Sequence, residues 1–313
     1  MLLSVVVVNW NSRDELRACL ESLQHQTYSE FEVIVVDNGS TDASADMVAT
    51  EYPHFILLHE SKNLGFAQAC NRGIEKSTGD WVAMLNNDAV ADQDWARELV
   101  RAMPLAHADC GMLQSLMLYQ ERPDTINSTG IELAFSGGGR DRSEGRRYES
   151  AAHQCPEEIF CPTAGAAAYR RTMLDAIRLP TGYFDRSHFM YYEDMDLGWR
   201  ARLAGWSAFY VPSSIVHHRW HGSTKRRSRG WLLSLSAVNR VRTLVKNASL
   251  PFLLVSTPRT LKELFELIRF GQFKALLTLF WALAQSLRMR RLVTGMSTIS
   301  RRDVEKVWRA RPQ

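Results

Sequence analysis

Cysteine is scarce in this 313-residue chain, and the spacing of the five cysteines argues against the common cysteine-based sites. Their number is odd and they form no CxxC pair, so neither a disulfide framework nor a zinc site is favoured. They are Cys19, Cys70, Cys110, Cys155 and Cys161. The N-terminal MLLSVVVVNWN lacks the basic region and the long apolar run of a secretory signal. We therefore expect a reducing, cytoplasmic location.

Two glycine-rich nucleotide-binding motifs are also missing. The turn after the first predicted strand has no GxGxxG, which argues against a dinucleotide dehydrogenase, and no GxxxxGK[ST] occurs, which argues against a P-loop enzyme. A nucleotidyltransferase usually has a basic, glycine-rich loop after strand 1, whereas this chain has NWNSRDE there.

Acidic residues are rare only in the last part of the chain. Residues 225–313 hold 19 Lys or Arg and 4 Asp or Glu, whereas residues 1–224 hold 19 Lys or Arg and 30 Asp or Glu. Such a basic region suits a nucleic acid, an anionic membrane or an acidic partner. Its basic residues alternate with Leu and Phe at helical spacing, as in RTLKELFELIRF, which favours a membrane surface and no nucleic acid.

No apolar run reaches the roughly 20 residues that a membrane-spanning helix needs. The most apolar helical segment, FKALLTLFWALAQSL at 273–287, is shorter, so it either lies in the membrane interface or forms a buried core helix. We predict a catalytic domain at 1–224, with a nucleotide-binding half at about 1–118 and an acceptor half at about 119–224. Residues 225–313 then form a basic, amphipathic, membrane-associating helical region.

Strands and helices alternate four times in the first hundred residues, which predicts βαβ units and a mostly parallel sheet. The predicted strands are LLSVVVV, FEVIVVD, FILLHE and WVAMLNND. The first helix is predicted at 12–25, with Ser12 as N-cap and Glu15 completing a capping box. Residues 120–158 include SGGGRDRSEGRRYES, which has no apolar period and predicts a mobile loop or lid.

Polar residues follow each of the four strands, and the carboxyl ends of parallel strands share one edge of the sheet. Asparagine, aspartate and glycine there could contact a nucleotide or simply form turns. The set is Asn9, Asn11, Asp37, Asn38, Asn63, Gly65, Asn71, Asn86, Asn87 and Asp88. A carboxylate beside carboxamides, as in Asn86-Asn87-Asp88, is a hard-oxygen site that suits Mg²⁺ or Mn²⁺.

The stretch FMYYEDMDLGWR places Glu193, Asp194 and Asp196 within four positions, beside aromatic residues. One interpretation is a helix start, with Asp194 as cap and acidic residues near the positive end of the helix dipole. The other interpretation is a functional carboxylate. Asp196 and Arg200, at i and i+4, are expected to form a structural pair.

Taken in order, these segments resemble family 2 glycosyltransferases of the GT-A fold, in the rhamnosyltransferase-like branch. The matching text is VVVVNWN, VIVVDNGSTDAS, NLGFAQACNRGI, MLNNDAV, TAGAAAYRR, FMYYEDMDLGWRARLAGW and VPSSIVHH. The resemblance spans residues 3 to about 224. It implies a Rossmann-like central sheet flanked by helices, here followed by a helical extension.

The resemblance also implies roles for individual residues. Donor binding falls to Asp37 at the nucleobase, to Asn9, Asn11 and Asn38 beside it, to Asn63, Gly65 and Asn71 along the nucleotide, and to Asn86 and Asn87. Asp88 and His218 would hold the metal ion, with His217 and His221 as rivals for the histidine. Asp194 would be the catalytic base, and Glu193 would bind the acceptor.

The function implied is inverting, metal-dependent transfer of a sugar, possibly rhamnose or another deoxyhexose. The donor would be dTDP- or UDP-linked, the metal Mg or Mn, and the acceptor a surface glycan on a lipid carrier. The enzyme would act in the cytoplasm, peripheral on the inner face of the membrane. The alternatives are a nucleotidyltransferase or a non-catalytic nucleotide- or sugar-binding protein.

Overall fold

The computed structural model describes residues 2–105, 108–149, 156–219 and 228–309. Its first third is the predicted βαβ alternation. The strands are β1 (Leu3–Asn9), β2 (Phe31–Asp37), β3 (Ile56–His59) and β4 (Trp81–Asn86), and the helices are α1 (Arg13–Gln24), α2 (Ser44–Glu51) and α3 (Phe66–Lys76). The four strands are parallel in the order β3-β2-β1-β4, so the predicted parallel arrangement is confirmed for this half of the sheet.

Strand β1 is buried along its whole length because helices cover both faces of the sheet. Val5 and Val7 belong to the core on one face, and Val6 and Val8 to the core on the other. On the second face α3 lies very close to β1. A Cβ atom on Gly73 would come within 2.2 Å of the Val6 side chain, so only glycine fits there.

The predicted capping box at α1 is wrong. Ser12 is the N-cap residue, but its side chain makes no capping hydrogen bond. The first backbone N–H of the helix, that of Arg13, instead donates a hydrogen bond at 2.9 Å to Asp42, in the loop after β2. A tertiary contact has replaced the local cap.

The second half of the sheet is mixed. Its strands are β5 (Ala89–Ala91), β6 (Cys110–Tyr119), β7 (Arg122–Ser128), β10 (Glu157–Glu158), β11 (Ala166–Arg170) and β12 (Ser207–His218). Strand β11 runs antiparallel to both β4 and β6, and β12 runs parallel to β6. Two reversals therefore bring the carboxyl ends of β6 and β12 to the same edge as the end of β4.

The remaining helices of this half flank the sheet: α4 (Trp95–Leu105), α5 (Arg171–Ala176) and α6 (Glu193–Leu203). In α6, the predicted pair is confirmed. Asp196 and Arg200 lie 3.1 Å apart, and both side chains are fully buried.

The segment 120–158, predicted to contain a mobile loop or lid, holds strand β7 and a hairpin, so the loop prediction is wrong for residues 122–128, 131–133 and 139–141. Strands β8 (Ile131–Leu133) and β9 (Gly139–Asp141) pair antiparallel. Ile131 and Leu133 are buried in a core shared with α6. Two apolar residues in a three-residue strand are too short a pattern to detect among glycines and arginines.

The helical extension comprises α7 (Arg229–Asn247), α8 (Leu250–Arg269), α9 (Phe273–Met296) and α10 (Arg301–Trp308). Its first helix packs on α6, because Leu244 of α7 lies in the same buried apolar cluster as Trp199, separate from the two cores on the faces of the sheet. The amine of Lys246 lies 2.9 Å from Asp196 and also contacts Asp185. The extension therefore supports the segment that carries Glu193 and Asp194.

One face of the α8–α9 pair remains uncovered. Ala275 and Ala282 of α9 are buried, whereas Phe280 and Trp281 are about 70% exposed. The segment at 273–287 thus has a buried side and an open side, so it is not a fully buried core helix, and its place in a membrane interface stays a prediction. Within the described part of the chain, no helix has the length and apolar character needed to cross a bilayer.

Candidate active site

A cavity of about 610 Å³ opens at the carboxyl edge of the sheet. Strand ends form its floor, the turn before α6 and the β8–β9 hairpin form its sides, and α7 and α8 contribute Trp231, Ser236 and Arg259. Eight of the residues predicted for the site line it: Asn38, Asn63, Asn86, Asn87, Asp88, Glu193, Asp194 and His218. The predicted convergence of the strand ends is therefore observed for these residues.

Asp37, at the end of β2, is fully buried beneath this edge. Its carboxylate accepts a hydrogen bond from the Ser40 amide at 3.2 Å and lies 3.0 Å from the half-exposed His59 ring. Asn9, at the end of β1, donates to Asp37 at 3.4 Å and accepts from Asn87 at 2.7 Å. The ends of β1, β2 and β4 are thus joined by one hydrogen-bond network.

Asn11 and Asn38 shape the loops beside this network. Asn11 has a left-handed backbone (φ 52°), and its side-chain oxygen accepts from the Thr41 amide at 2.7 Å. Asn38 donates to Asn63 at 3.2 Å and accepts from the Leu64 amide at 2.8 Å. Both carboxamides therefore fix backbone that borders the cavity.

Gly65 and Asn71 do not line the cavity. Both contact the segment at 184–189. Gly65 has a φ of +86°, and a Cβ atom there would lie 2.5 Å from the Phe189 ring. The Asn71 side chain donates to the Phe184 carbonyl at 2.8 Å and accepts from the Phe184 amide at 2.9 Å. Asn71 is buried, so its contacts in this structure are structural, and its role at the nucleotide stays a prediction.

Asp88 and His218 meet at the cavity wall, with His218 Nε2 3.0 Å from Asp88 Oδ1. His218 Nδ1 lies 2.9 Å from the Asn127 amide oxygen, which can only accept, so Nδ1 carries the proton. In the neutral ring with this tautomer, Nε2 has its lone pair beside the Asp88 carboxylate and 3.2 Å from the Asn86 carboxamide nitrogen, which can donate to it. Two electron-pair donors at this distance suit a shared cation, and Asn127 orients the ring as an outer-shell partner does. The pair fits a divalent metal ion.

The other two candidate histidines are placed differently. His217 precedes His218 on β12, so its side chain points to the opposite face of the strand. There it lies 3.1 Å from Asp92. His221 lies outside the described residues.

A second group of possible ligands, Asp185, His188 and Asp196, lies close together but is buried away from the cavity lining. Lys246 reaches both carboxylates and supplies the positive charge there. Burial opposes ionisation of Asp185 and Asp196, yet the Lys246 ammonium holds the pKa of each below its ordinary value. Burial lowers the pKa of His188 to about 4, so the ring is neutral. This group is a structural ion-pair cluster.

Glu193 and Asp194 begin α6 with their side chains on the cavity. Asp194 does not cap the helix, because the N-cap is Tyr192 and Asp194 lies in the first turn. The Asp194 carboxylate accepts hydrogen bonds from the amides of Met195 at 2.7 Å and Ala164 at 3.2 Å. These bonds favour its ionised form.

The two carboxyl groups titrate as a pair. Burial raises the pKa of Asp194, and burial together with the charge of Asp194 raises the pKa of Glu193 well above its ordinary value. Glu193 Oε2 is buried and has no hydrogen-bond partner among the described residues. The amide hydrogen bonds favour the negative charge on Asp194, and the absence of a described partner for Glu193 Oε2 favours the shared proton on Glu193.

The aromatic turn before these carboxylates is strained. Phe189, Tyr191 and Tyr192 have positive φ values of 63°, 68° and 69°. Such conformations cost roughly 1 to 3 kcal/mol each for side chains of this kind. Sequence patterns give no signal for this strain, since glycine or asparagine would be the expected residues.

Asp141 on β9 is a cavity residue that sequence reasoning missed. Burial raises the pKa of Asp141 to about 6, and the negative charge of Asp194 adds to the effect. Asp141 lies in the segment predicted to contain a mobile loop or lid. It reaches the cavity because the β8–β9 hairpin forms one of the cavity's sides.

Three comparisons with known proteins agree with this architecture. The sequence profile of Glycosyl transferase family 2 matches residues 4–178, more than half of the chain. An N-acetylglucosaminyl-diphospho-decaprenol L-rhamnosyltransferase of Mycobacterium tuberculosis is 30% identical over 71% of this chain and 78% of that protein. The putative glycosyltransferase EpsH of Bacillus subtilis is 28% identical over 71% of this chain and 61% of that protein, so the chain spans less than two thirds of EpsH.

Solved structures show the same fold at low sequence identity. GalNAc-T7 with UDP, GalNAc and Mn²⁺ has a TM-score of 0.62 at 17% identity, covering 79% of this chain and 48% of that chain. The mannosyltransferase PcManGT of Pyrobaculum calidifontis, with GDP-Man and Mn²⁺, has a TM-score of 0.55 at 17% identity, covering 98% and 87%. The edge cavity, the ordered motifs and the profile match together place the chain in glycosyl transferase family 2.

Proposed function

We propose that this chain is an inverting glycosyltransferase that uses a nucleoside-diphosphate sugar and a divalent metal ion. The observation that carries the proposal is the convergence of two chemically different groups on one cavity. Asp194 is a half-buried carboxylate whose ionised form is favoured by backbone N–H groups, and Asp88 with His218 forms a pair of candidate metal ligands.

In this mechanism the chain binds the donor along the strand ends. Asn38, Asn63 and Asn87 line the path toward Asp88, and the buried Asp37 and Asn9 hold these strand ends together from beneath. Direct contact of Asp37 with the nucleobase stays a prediction. A divalent ion held by Asp88 and His218 would neutralise charge developing on the leaving diphosphate. Its identity, Mg²⁺ or Mn²⁺, is part of the proposal, and the Mn²⁺ in GalNAc-T7 and PcManGT supports it.

Asp194 accepts the proton of the acceptor hydroxyl as that oxygen attacks the sugar carbon. Partial burial raises the pKa of this carboxyl group and so its basicity, while the amides of Met195 and Ala164 hold its orientation. Glu193, which carries the proton of the pair, donates a hydrogen bond to the acceptor.

We further propose that the donor is dTDP- or UDP-linked and that its sugar is rhamnose or a related deoxyhexose. The M. tuberculosis relative named as an L-rhamnosyltransferase supports the sugar. The acceptor in the name of that relative, N-acetylglucosaminyl-diphospho-decaprenol, supports an acceptor linked to a lipid diphosphate.

Donor binding is tested by thermal-shift titration of the protein with UDP, dTDP, GDP and NAD, each with and without Mn²⁺. We expect stabilisation by one pyrimidine nucleotide that increases with Mn²⁺, about 2.7 kcal/mol at a hundredfold excess over Kd. Asp88→Ala and His218→Ala should lose the Mn²⁺-dependent part, because each removes a ligand.

His217→Ala is the matched control, since the neighbouring side chain points away from the cavity to Asp92. It should keep the full Mn²⁺ effect. A Mn²⁺ effect of equal size in wild type and Asp88→Ala would refute the metal assignment, and a preference for NAD would refute the donor class.

The open face of α8 and α9 supports a peripheral position at the inner face of the cytoplasmic membrane. Eight apolar side chains on it are each more than 60% exposed: Leu250, Leu254, Leu261, Phe265, Phe273, Leu277, Phe280 and Trp281. Exposed basic residues flank them: Lys262, Arg269, Lys274, Arg288 and Arg291. An apolar face with a basic rim is complementary to an anionic bilayer.

Flotation with phosphatidylglycerol-containing and with purely phosphatidylcholine vesicles tests this surface. Wild type should bind the anionic vesicles, more weakly as salt rises. Phe280→Asp/Trp281→Asp should lose at least about tenfold in partitioning, because two exposed apolar side chains that would enter the bilayer become negatively charged. Val307→Asp, a similarly exposed site on α10, is the control. Equal binding by wild type and the double variant would contradict the membrane proposal, and preferential binding to DNA at matched salt would replace it.

A further inference from the structure

The turn at 188–192, here called the base turn, leads directly into the catalytic carboxylate pair. It contains the three positive-φ residues, and its conformation sets where Glu193 and Asp194 point. A strained turn persists only where its surroundings over-determine it. The contacts that hold the base turn therefore help to set the position of Asp194, the proposed base.

The strongest fastening comes from α7. Asn239 is fully buried, and its amide nitrogen lies 2.6 Å from the His188 carbonyl, 2.9 Å from the Met190 carbonyl and 3.0 Å from the Tyr191 carbonyl. One side-chain amide thus serves three carbonyls of five consecutive residues. Only a donor can stand there, because any acceptor would face three carbonyl oxygens.

Other α7 residues on the same helical face hold the ends of this segment. Thr243, four positions after Asn239, lies 3.1 Å from His188 Nε2. Asn247, four positions further, donates to Asp196 at 2.8 Å. The spacing of four keeps these side chains on one face, aimed at the base turn and the start of α6.

On the other side, α3 contributes a single backbone contact. The Ala67 amide donates to the Phe189 carbonyl at 3.1 Å. The α7 side chains are therefore the main polar support of the base turn within the described residues. Helix α7 lies wholly outside residues 4–178, the part matched by the family profile.

We infer that Asn239 is a positioning residue for the catalytic base, so that α7 completes the active site of this enzyme. Asn239 acts through the base turn, because its side chain bonds the carbonyls of His188, Met190 and Tyr191 and is closed off from solvent. The role in catalysis rests on the proposed function, whereas the role in holding the turn is independent of it.

The test compares Asn239→Ala and Asn239→Asp with Val238→Ala in the full chain. Val238 is the adjacent buried residue and packs toward α8 and α9. Val238→Ala is therefore a control for the loss of stability on truncating a buried α7 side chain, because it leaves the contacts of the base turn in place. For both Asn239 variants we expect kcat per folded molecule to fall about 10- to 100-fold, as a displacement of about 1 Å at a reacting group does. Donor affinity, measured with UDP or dTDP and Mn²⁺, should stay within twofold.

Val238→Ala should keep kcat within about twofold. Hydrogen exchange of the peptide covering 186–196 provides a readout that needs no activity. We expect exchange there to quicken at least tenfold in Asn239→Ala relative to Val238→Ala. Unchanged exchange overturns the inference, and so does a kcat loss equal to that of Val238→Ala. If the wild type transfers no sugar but exchange quickens, the proposed function fails while the fastening of the turn stands.

Discussion

Asp194→Asn is expected to lose about 10²- to 10⁴-fold in transfer rate, the contribution of a positioned general base. Asparagine keeps the shape of the side chain and can still accept from the Met195 amide, but it cannot take the acceptor proton. Donor binding lies with the strand ends and should be unchanged. The measurement is nucleoside-diphosphate release with acceptor, beside the donor Kd of both proteins.

Glu193→Gln is the contrasting variant at the next position. Glu193 carries the proton of the pair, so glutamine closely resembles the working form, and the loss should stay below about tenfold. The wild-type rate should fall as the pH drops, starting above the ordinary Asp pKa, because burial raises the pKa of Asp194 and only the ionised form acts. If Asp194→Asn keeps most of its activity, Asp194 is not the base.

Lys246→Met is expected to destabilise the fold by about 3 to 5 kcal/mol, the cost of leaving a buried ion pair without one partner. Lys246 is the shared cation of Asp185 and Asp196, and all three side chains are nearly inaccessible. Arg200 still pairs with Asp196 in this variant, so Asp185 is the carboxylate that loses its cationic partner. The measurement is the unfolding midpoint in urea.

The pH dependence of stability provides a second reading of the same variant. The pKa values of Asp185 and Asp196 are lowered in the folded state, so their stabilisation is present above the unfolded Asp pKa and is lost as the pH falls below it. This acid sensitivity should shrink in Lys246→Met. Lys262→Met, exposed on α8, should change stability by less than about 0.5 kcal/mol. Equal midpoints for the two variants would contradict the role of Lys246.

The first half of the fold was predictable because its signals are local. Continuous β-branched runs such as VVVV at 5–8 identify strands buried on both faces, and alternation with amphipathic helices fixes a parallel sheet. Polar residues at strand ends then fall on one edge by topology alone. For this reason the sequence alone is enough to assign Asn38, Asp88 and their neighbours to one site.

The remaining features depend on contacts between residues distant in sequence. The choice of His218 over His217 depends on which face of β12 meets the cavity, which alternation alone does not decide. The structural contacts of Asn71 were not predictable because Phe184, more than a hundred positions away, bonds both ends of its amide. Asn239 carried no motif and is significant only through the base turn that it contacts.

The anomeric configuration of the first product tests the central claim most directly. Proton NMR of the glycoside formed from a donor of known configuration, recorded before any equilibration, identifies it. A single displacement assisted by Asp194 predicts a product of the opposite configuration to the donor. A product that retains the donor configuration would contradict the account, because Asp194 could not then act as the base of one in-line attack.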